Sequence, residues 1–331
     1  MRGQGNTCPL MGKGQMKIFL TGGTGSLGQA ILRRAAQQEK DEGFSPEFTI
    51  YSRDEFKQGE LRKLYPQYTF ILGDIRNEEW LRVVMRGHDA VIHTAAYKHV
   101  PQAEFNVAEA VEINVIGSRN IARMAVELGV KRVVGISTDK SCAPINTYVM
   151  TKALMEKLFA HACLWGETQF NCVRYGNVLG SRGSVLPLFQ EQYKATGKVT
   201  VTDPTMTRFW LTLDEGVDLV LRGLQEENPG VVIVPKAVAC TMETMAKAIA
   251  EDCQMVIIGI RAGERINERL IHVGEAIYAR DCGDVFKVWP AYSGAFGNLP
   301  ADFEYTSDKA KQLTVEEMRA MIAKVQATIG G

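Results

Sequence analysis

Tyr148 and Lys152 lie four residues apart in TYVMTKALMEKLFAHA, a spacing that puts both on one face of a helix. A phenol and an ammonium so placed can do proton chemistry at an alcohol. Beside a positively charged nicotinamide the lysine lowers the phenol's pKa and holds ribose hydroxyls, and the tyrosine deprotonates the alcohol as hydride leaves. Just upstream, STDK sets Thr138, Asp139 and Lys140 in a row, with the last two offering a second acid/base couple. Neighbours on a strand point to opposite faces, so both can serve one substrate only if the strand ends by Thr138. Lys140 can act as a base only if it is partly neutral, which burial and an adjacent cationic nicotinamide favour. Asp139 can act as an acid only if it holds a proton, which burial also favours.

Such groups need a bound nucleotide, and KIFLTGGTGSLG (17–28) supplies the place for one. A short apolar strand runs into Gly22, Gly25 and Gly28, and a helical pattern, SLGQAILRRAAQQ, follows. Glycine allows the tight turn and the close backbone approach that a pyrophosphate at a helix N-terminus requires. The spacing is G-x-x-G-x-x-G, a variant of the standard dinucleotide fingerprint. At the end of the next strand, Phe48 to Tyr51, Ser52 and Arg53 stand where an acidic residue would bind the ribose of NAD. A guanidinium there stacks on adenine and pairs with a 2′-phosphate, which favours NADP. Asp54 and Glu55 read as first-turn helix residues.

Further elements follow at a regular rhythm. TFILGDIR (69–76) is a third strand, with Asp74 able to accept from the adenine amino group. DAVIHTAAYKHVP (89–101) is a fourth, ending in the small residues Thr94, Ala95 and Ala96. A long helix is expected from about Ala103 to Leu128, containing Asn114. RVVGISTDK (132–140) is a fifth strand, and RYGNVLG a sixth that runs into a loop. Strand and helix alternating in this way predict an α/β fold, a doubly wound parallel sheet of Rossmann type. TLDEGVDLVLRGLQEE (212–227) and VEEMRAMIAKVQATI read as amphipathic packing helices, and VVIVP (231–235) as a strand returning to the main sheet.

Lysine plus arginine and aspartate plus glutamate are equal at 38 each, which argues against a nucleic-acid or polybasic membrane-surface protein. The apolar runs are strand-length, well short of a membrane span. Seven cysteines without a CxxC pair read as reduced thiols in a cytoplasm, and the five histidines lack metal spacing, so no metal is expected. Residues 1–15 read as a flexible leader without an apolar signal segment, with Met11 and Met16 as alternative starts.

TGGTGSLG, Thr138 and the Tyr148/Lys152 pair resemble the extended short-chain dehydrogenase/reductases, which act on nucleotide sugars. AAYKHVP, ISTDK, RYGNVLGSRGSVLPLF, MTRFWLTLDEGV, VPK, IGIRAGERINE and DFEY are similar more specifically to the inverting UDP-N-acetylglucosamine 4,6-dehydratases. The resemblance runs from about residue 16 to the C-terminus. It implies an NADP-binding domain over 16–180 and a smaller, mainly sugar-nucleotide-binding domain over 181–331, with about 205–235 returning to the first. It implies NADP as cofactor, UDP-N-acetylglucosamine as substrate, a homo-oligomer and a place in cytoplasmic polysaccharide biosynthesis. Chemistry falls to Thr138, Asp139, Lys140, Tyr148 and Lys152.

Cofactor contacts carry over to Gly22, Thr24, Gly25, Ser26, Leu27, Gly28, Ser52, Arg53, Asp54, Lys57, Asp74, Ile75, Thr94, Ala95, Ala96, Asn114, Tyr148, Lys152 and Val178. Substrate contacts carry over to Lys98, Asn177, Arg182, Val185, Thr202, Arg208, Arg261 and Glu264, with Asn177 and the arginines suited to a diphosphate and Glu264 to ribose hydroxyls. The chain departs from the family pattern at several points. Val149-Met150 replace Gly-Ala after the tyrosine, Ala143 replaces Asn before Pro144, and R-A-G-E-R-I-N-E replaces R-P-G-E-K-x-H-E. A C4 epimerase or reductase on the same scaffold is the nearest alternative and has no required role for Asp139 and Lys140. A non-catalytic NADP-binding protein is the distant one.

Overall fold

Strand Lys17–Thr21 (β1) exposes only its first residue, and Ala90–His93 (β4) exposes none. Runs buried on both faces are what a parallel sheet covered by helices demands. The computed structural model describes residues 16–260 and 263–329; the leader expected over 1–15 lies outside them. Those residues divide into two interleaved units. The first takes the chain up to Ile136, then Leu154–Val173 and Val217–Val231; the second takes Ser137–Ala153, Arg174–Gly216 and Val232 onward.

In the first unit, β1 is followed by α1 (Ser26–Glu42), β2 (Glu47–Ser52), α2 (Glu55–Leu64), β3 (Thr69–Leu72), α3 (Glu78–Val84) and β4. Then come α4 (Val100–Phe105), α5 (Val107–Val111), a π turn at Glu112–Ile116, α6 (Gly117–Glu127), β5 (Arg132–Thr138), α7 (Thr147–Ala162) and β6 (Gln169–Tyr175). The strand order is β3-β2-β1-β4-β5-β6, with the pairs β1–β2, β2–β3, β1–β4 and β4–β5 all parallel. This is the doubly wound order, in which β1 beside β4 marks the switch point where ligands bind at the carboxyl ends. The single helix expected over 103–128 is instead broken. The chain leaves the helix at Asn106, restarts, and widens through the π turn to admit the buried Asn114. His93 is a satisfied core histidine, bonded through Nδ1 to the Thr21 hydroxyl (2.8 Å) and through Nε2 to that of Ser118 (3.0 Å).

The second unit continues with β7 (Asn177–Val178), α8 (Val185–Thr196), β8 (Lys198–Val201), β9 (Thr207–Leu211), α9 (Leu213–Gln225, most of which belongs to the first unit), β10 (Val232–Pro235), β11 (Val238–Thr241) and α10 (Met242–Ile249). It ends with β12 (Gln254–Ile257), β13 (Arg269–Ile271), α11 (Val273–Ala276), β14 (Ala279–Asp281), β15 (Val285–Val288), β16 (Tyr305–Thr306) and α12 (Val315–Ile329). Strand β9 pairs with β7 and β11, β8 with β12, β13 with β16, and β10, β15 and β14 form an antiparallel series. A core built from Leu186, Phe189, Trp210, Met245, Met318 and Ile322 holds α8, α10 and α12 on these strands. No helix among the described residues is long and apolar enough to cross a membrane.

Candidate active site

β5 ends at Thr138, and a single 3-10 turn, Asp139–Ser141, begins there. The turn frees two consecutive side chains from strand alternation and lets them converge. Lys140 Nζ donates to Asp139 Oδ1 (3.0 Å) and Oδ2 (3.3 Å) and to Asn177 Oδ1 (3.5 Å), and lies 3.3 Å from Glu268 Oε1. Thr138 Oγ1 donates to Asp139 Oδ1 (2.9 Å) and also shares a hydrogen bond with Tyr148. Arg208 on β9 places its Nε 3.5 Å from the same Glu268 oxygen. Six polar side chains expected from sequence are thereby brought together or linked: Thr138, Asp139, Lys140, Tyr148, Asn177 and Arg208.

The charges follow from these contacts. Burial raises the Asp139 carboxyl's affinity for its proton and Glu268 adds to it, while Lys140 pulls the other way; the net direction is upward. Lys140 differs from the sequence expectation of a partly neutral amine. Burial does favour the neutral form, but the carboxylates of Asp139 and Glu268 override it and hold the ammonium above the ordinary lysine range. Burial pushes the Tyr148 phenol up to about 12; the charge of Lys140 and the Thr138 hydrogen bond act against that rise.

The helix that carries Tyr148 is fixed at its start. Asn146 Oδ1 accepts from Val149 N (3.1 Å), and its amide donates to Gly263 O (3.5 Å). Lys152 is buried one turn on. Val149, a departure from the family pattern, is fully buried, whereas Met150 is half exposed. Upstream, Arg265 donates to the carbonyls of Cys142 (3.5 Å) and Ala143. Beneath the loop, Arg174 is buried and makes two hydrogen bonds to Glu275, with which the Cys142 thiol also bonds (3.3 Å).

The remaining substrate candidates are more dispersed. Thr202 and Arg208 both reach the Met206 sulfur (3.2 Å each), Val185 opens α8, and Arg182 is exposed, while Val178, a cofactor candidate, lies in β7. Glu264 is half-buried, and Arg261 lies outside the described residues. Lys98, in the first unit, is exposed. Sequence reasoning missed Glu268, Arg265 and Asn146; the signal for Glu268 was its place as the final acid of R-A-G-E-R-I-N-E.

In the first unit the glycine turn is built as a cradle. Gly22 has φ 69°, and a Cβ there would stand 2.7 Å from Ala95 N and 2.8 Å from Thr94 Oγ1. A Cβ on Gly28 would meet the Gly23 backbone at 2.4 Å, so α1 seats directly on the turn. Gly25 is the N-cap of α1 and brings no side chain to the first-turn N–H groups, whereas α2 is capped by Asp54 and α3 by Asn77. Thr24 is buried, and Ser26 and Leu27 open the helix. An uncapped helix start behind such a turn fits a dinucleotide pyrophosphate.

Around it, Thr94 Oγ1 donates to Thr21 O (2.7 Å), and Ala95 and Ala96 follow just beyond the end of β4. Asn114 bonds the Tyr97 backbone in both directions, accepting from its N (2.7 Å) and donating to its O (2.9 Å). Ser52 is held by Gln58, and Arg53 is exposed at 54%, with a guanidinium nitrogen 3.7 Å from Asp74. Asp54 pairs with Lys57 as well as capping α2. Burial works against Asp74's charge, but the two-pronged contact from Arg76 holds the carboxylate below its usual range. Ile75 packs over Gly117, where a Cβ would sit 2.5 Å from its Cδ1.

The profile of the family described as polysaccharide biosynthesis protein matches residues 18–290. This chain belongs to that family. The resemblance to nucleotide-sugar short-chain dehydrogenase/reductases is borne out by further comparison. The family member named UDP-glucose 4-epimerase from Rickettsia akari is 38% identical over 325 residues, 92% of this chain and 94% of that one. The inverting UDP-N-acetylglucosamine 4,6-dehydratase of Campylobacter jejuni is 38% identical over 320 residues, 91% and 95%. Among solved structures, Pen from Bacillus thuringiensis superposes with a TM-score of 0.85 at 30% identity, over 94% of this chain and 98% of that one. The dTDP-glucose 4,6-dehydratase DesIV of Streptomyces venezuelae, with NAD and TYD bound, shares the fold at TM-score 0.67 and 21% identity, over 76% and 87%.

Proposed function

We propose that this protein is an NADP-dependent, C5-inverting nucleotide-sugar 4,6-dehydratase acting on UDP-N-acetylglucosamine. The observation that carries the reading is the hydrogen-bonded Asp139–Lys140 couple, joined through Thr138 to Tyr148. A simple alcohol oxidation needs only the tyrosine; removing water needs an additional base and acid. A nicotinamide bound at the glycine turn would supply hydride chemistry, accepting from C4 and giving back to C6. Tyr148 takes the C4 hydroxyl proton, with Lys152 beside it on the helix. Lys140 removes the C5 hydrogen that the C4 ketone has made acidic. Asp139 protonates the departing C6 hydroxyl. Asn177 and Arg208 hold the sugar nucleotide.

Arg53 and Ser52 support NADP over NAD, because no acidic side chain stands at the ribose position after β2. The residues up to about 180 supply the cofactor elements and those beyond mainly the sugar-nucleotide elements, with 205–235 returning to the first set. The protein works as a homo-oligomer in the cytoplasm.

A second reading has a specific support: the Rickettsia relatives named UDP-glucose 4-epimerase are as similar as the dehydratases. Incubation with UDP-N-acetylglucosamine and mass spectrometry separates the two. Loss of one water supports the dehydratase; an unchanged mass with an altered NMR spectrum makes the chain an epimerase.

A further inference from the structure

We propose that Glu268 is a positioning residue that keeps Lys140 loaded with a proton in the resting protein, so that Lys140 becomes a base only by passing a proton to Asp139. The inference rests on reading Asp139 and Lys140 as acid and base.

The acceptors around Nζ match the donors of an ammonium. An ammonium has three N–H donors, and three acceptors surround it: Asp139 Oδ1 at 3.0 Å, Glu268 Oε1 at 3.3 Å and Asn177 Oδ1 at 3.5 Å. A neutral amine would have two donors, and its lone pair would face an oxygen. The charged groups that bear on Lys140 come from the turn itself (Asp139), from the segment before β13 (Glu268), and from β9 (Arg208), with the Tyr148 phenol on α7. Glu268 is 4% exposed, so its charge acts through little water.

To take a hydrogen from C5, Lys140 must first lose one of its own. Of the three acceptors, the Asn177 amide does not take up a proton. Glu268 shares its Oε1 with the Arg208 guanidinium, 3.5 Å away, and lies farther from Nζ than Asp139 does, 3.3 against 3.0 Å. Asp139 is 1% exposed, faces the like charge of Glu268, and is directly hydrogen-bonded to Nζ. Along that bond one N–H breaks and one O–H forms: ammonium and carboxylate become amine and carboxylic acid, and the pair's net charge stays zero. The amine then accepts the C5 proton while the acid gives its own to the leaving hydroxyl. Both groups end in the ionisation in which they began, without a proton from solvent.

Competitive acylation tests the hold on Lys140. Protein saturated with NADP is treated with acetic anhydride at one mildly alkaline pH, and the Lys140 peptide is quantified by mass spectrometry. Removing an opposite charge at this range shifts a pKa by about 1–3 units, so Glu268→Gln should acylate about 10–10³-fold faster than wild type. Glu268→Asp should stay near wild type. Arg208→Gln removes a cation that opposes the ammonium and should slow acylation, which keeps the test decisive if the Glu268→Gln protein does not fold. Rates unchanged in both neutralising variants, or shifted in the same direction, overturn the proposal. A second arm follows C5 exchange in D₂O against pH. The limb belonging to Lys140 should move to lower pH in Glu268→Gln and return in Glu268→Asp; a limb that stays put also overturns it. Wild-type protein that neither exchanges C5 nor loses water defeats the dehydratase reading instead, and the acylation arm still decides the role of Glu268.

Discussion

Arg265 donates a hydrogen bond to the carbonyl of Ala143, the only non-glycine among the described residues with a left-handed φ, 58°. A Cβ in that region costs about 1–2 kcal/mol, and Asn tolerates it better than Ala. Ala143 stands where the resembled family has Asn, so this chain carries the strain and braces it with a guanidinium. Ala143→Asn should raise stability by about 1 kcal/mol in denaturant melts. Arg265→Met should lower it. A melt unmoved by Ala143→Asn would mean that the loop relaxes the strain in another way.

Tyr148→Phe removes the phenol while keeping the ring. The variant should fold and bind NADP, yet show no transient absorbance of reduced cofactor with UDP-N-acetylglucosamine, a loss of about 10²–10⁴-fold in rate. Activity within a few-fold of wild type would make Tyr148 a packing residue.

Arg53→Ala tests cofactor choice. Losing a charge-assisted contact to the 2′-phosphate should weaken NADP by about 1.5–3 kcal/mol and leave NAD nearly unchanged. Calorimetric titration of both cofactors measures the ratio. Equal losses for the two, or a wild-type preference for NAD, would remove the assignment.

The Arg174–Glu275 pair predicts an acid limb in stability. Burial alone would raise the Glu275 pKa, but the Arg174 guanidinium overrides it and holds the carboxyl at about 2, below the ordinary 4.5. A depressed folded-state pKa gives stabilisation that is complete above the unfolded value and fades as the pH falls from about 4.5 toward 2. Glu275→Gln should flatten that limb. At neutral pH it should cost about 3–5 kcal/mol, because Arg174, 2% exposed, is left buried without its counter-charge. Denaturant melts across the acid range read both effects.

The glycine turn, the strand rhythm and the Tyr148/Lys152 spacing were legible in the sequence because each is a local pattern with one physical use. The fifth strand expected over 132–140 instead stops at Thr138; the sequence offered that stop only as the condition under which Asp139 and Lys140 could converge. What hid was non-local. Nothing near Lys140 in the chain announces that Glu268 will face it, so burial alone argued for a neutral amine and the second carboxylate reversed the sign. The helix break at Asn106 had a local signal, Asn106 itself among the weak helix formers of VPQAEFNVAEAVEINVIG; what the sequence did not show was the pair of bonds between Asn114 and the Tyr97 backbone.

Interleaving has a consequence for how this protein can be inherited and handled. The chain passes from one unit to the other at residues 137, 154, 174, 217 and 232. A cut at residue 180 would therefore strip the first unit of most of α9, whose Gly223 lies so close to β5 and β6 that a Cβ would stand 2.6 Å from Val134 and 3.0 Å from Val173. Neither unit is a cassette that recombination can lift out and splice elsewhere. New specificities on this scaffold must arise by point substitution and loop exchange within one continuous gene.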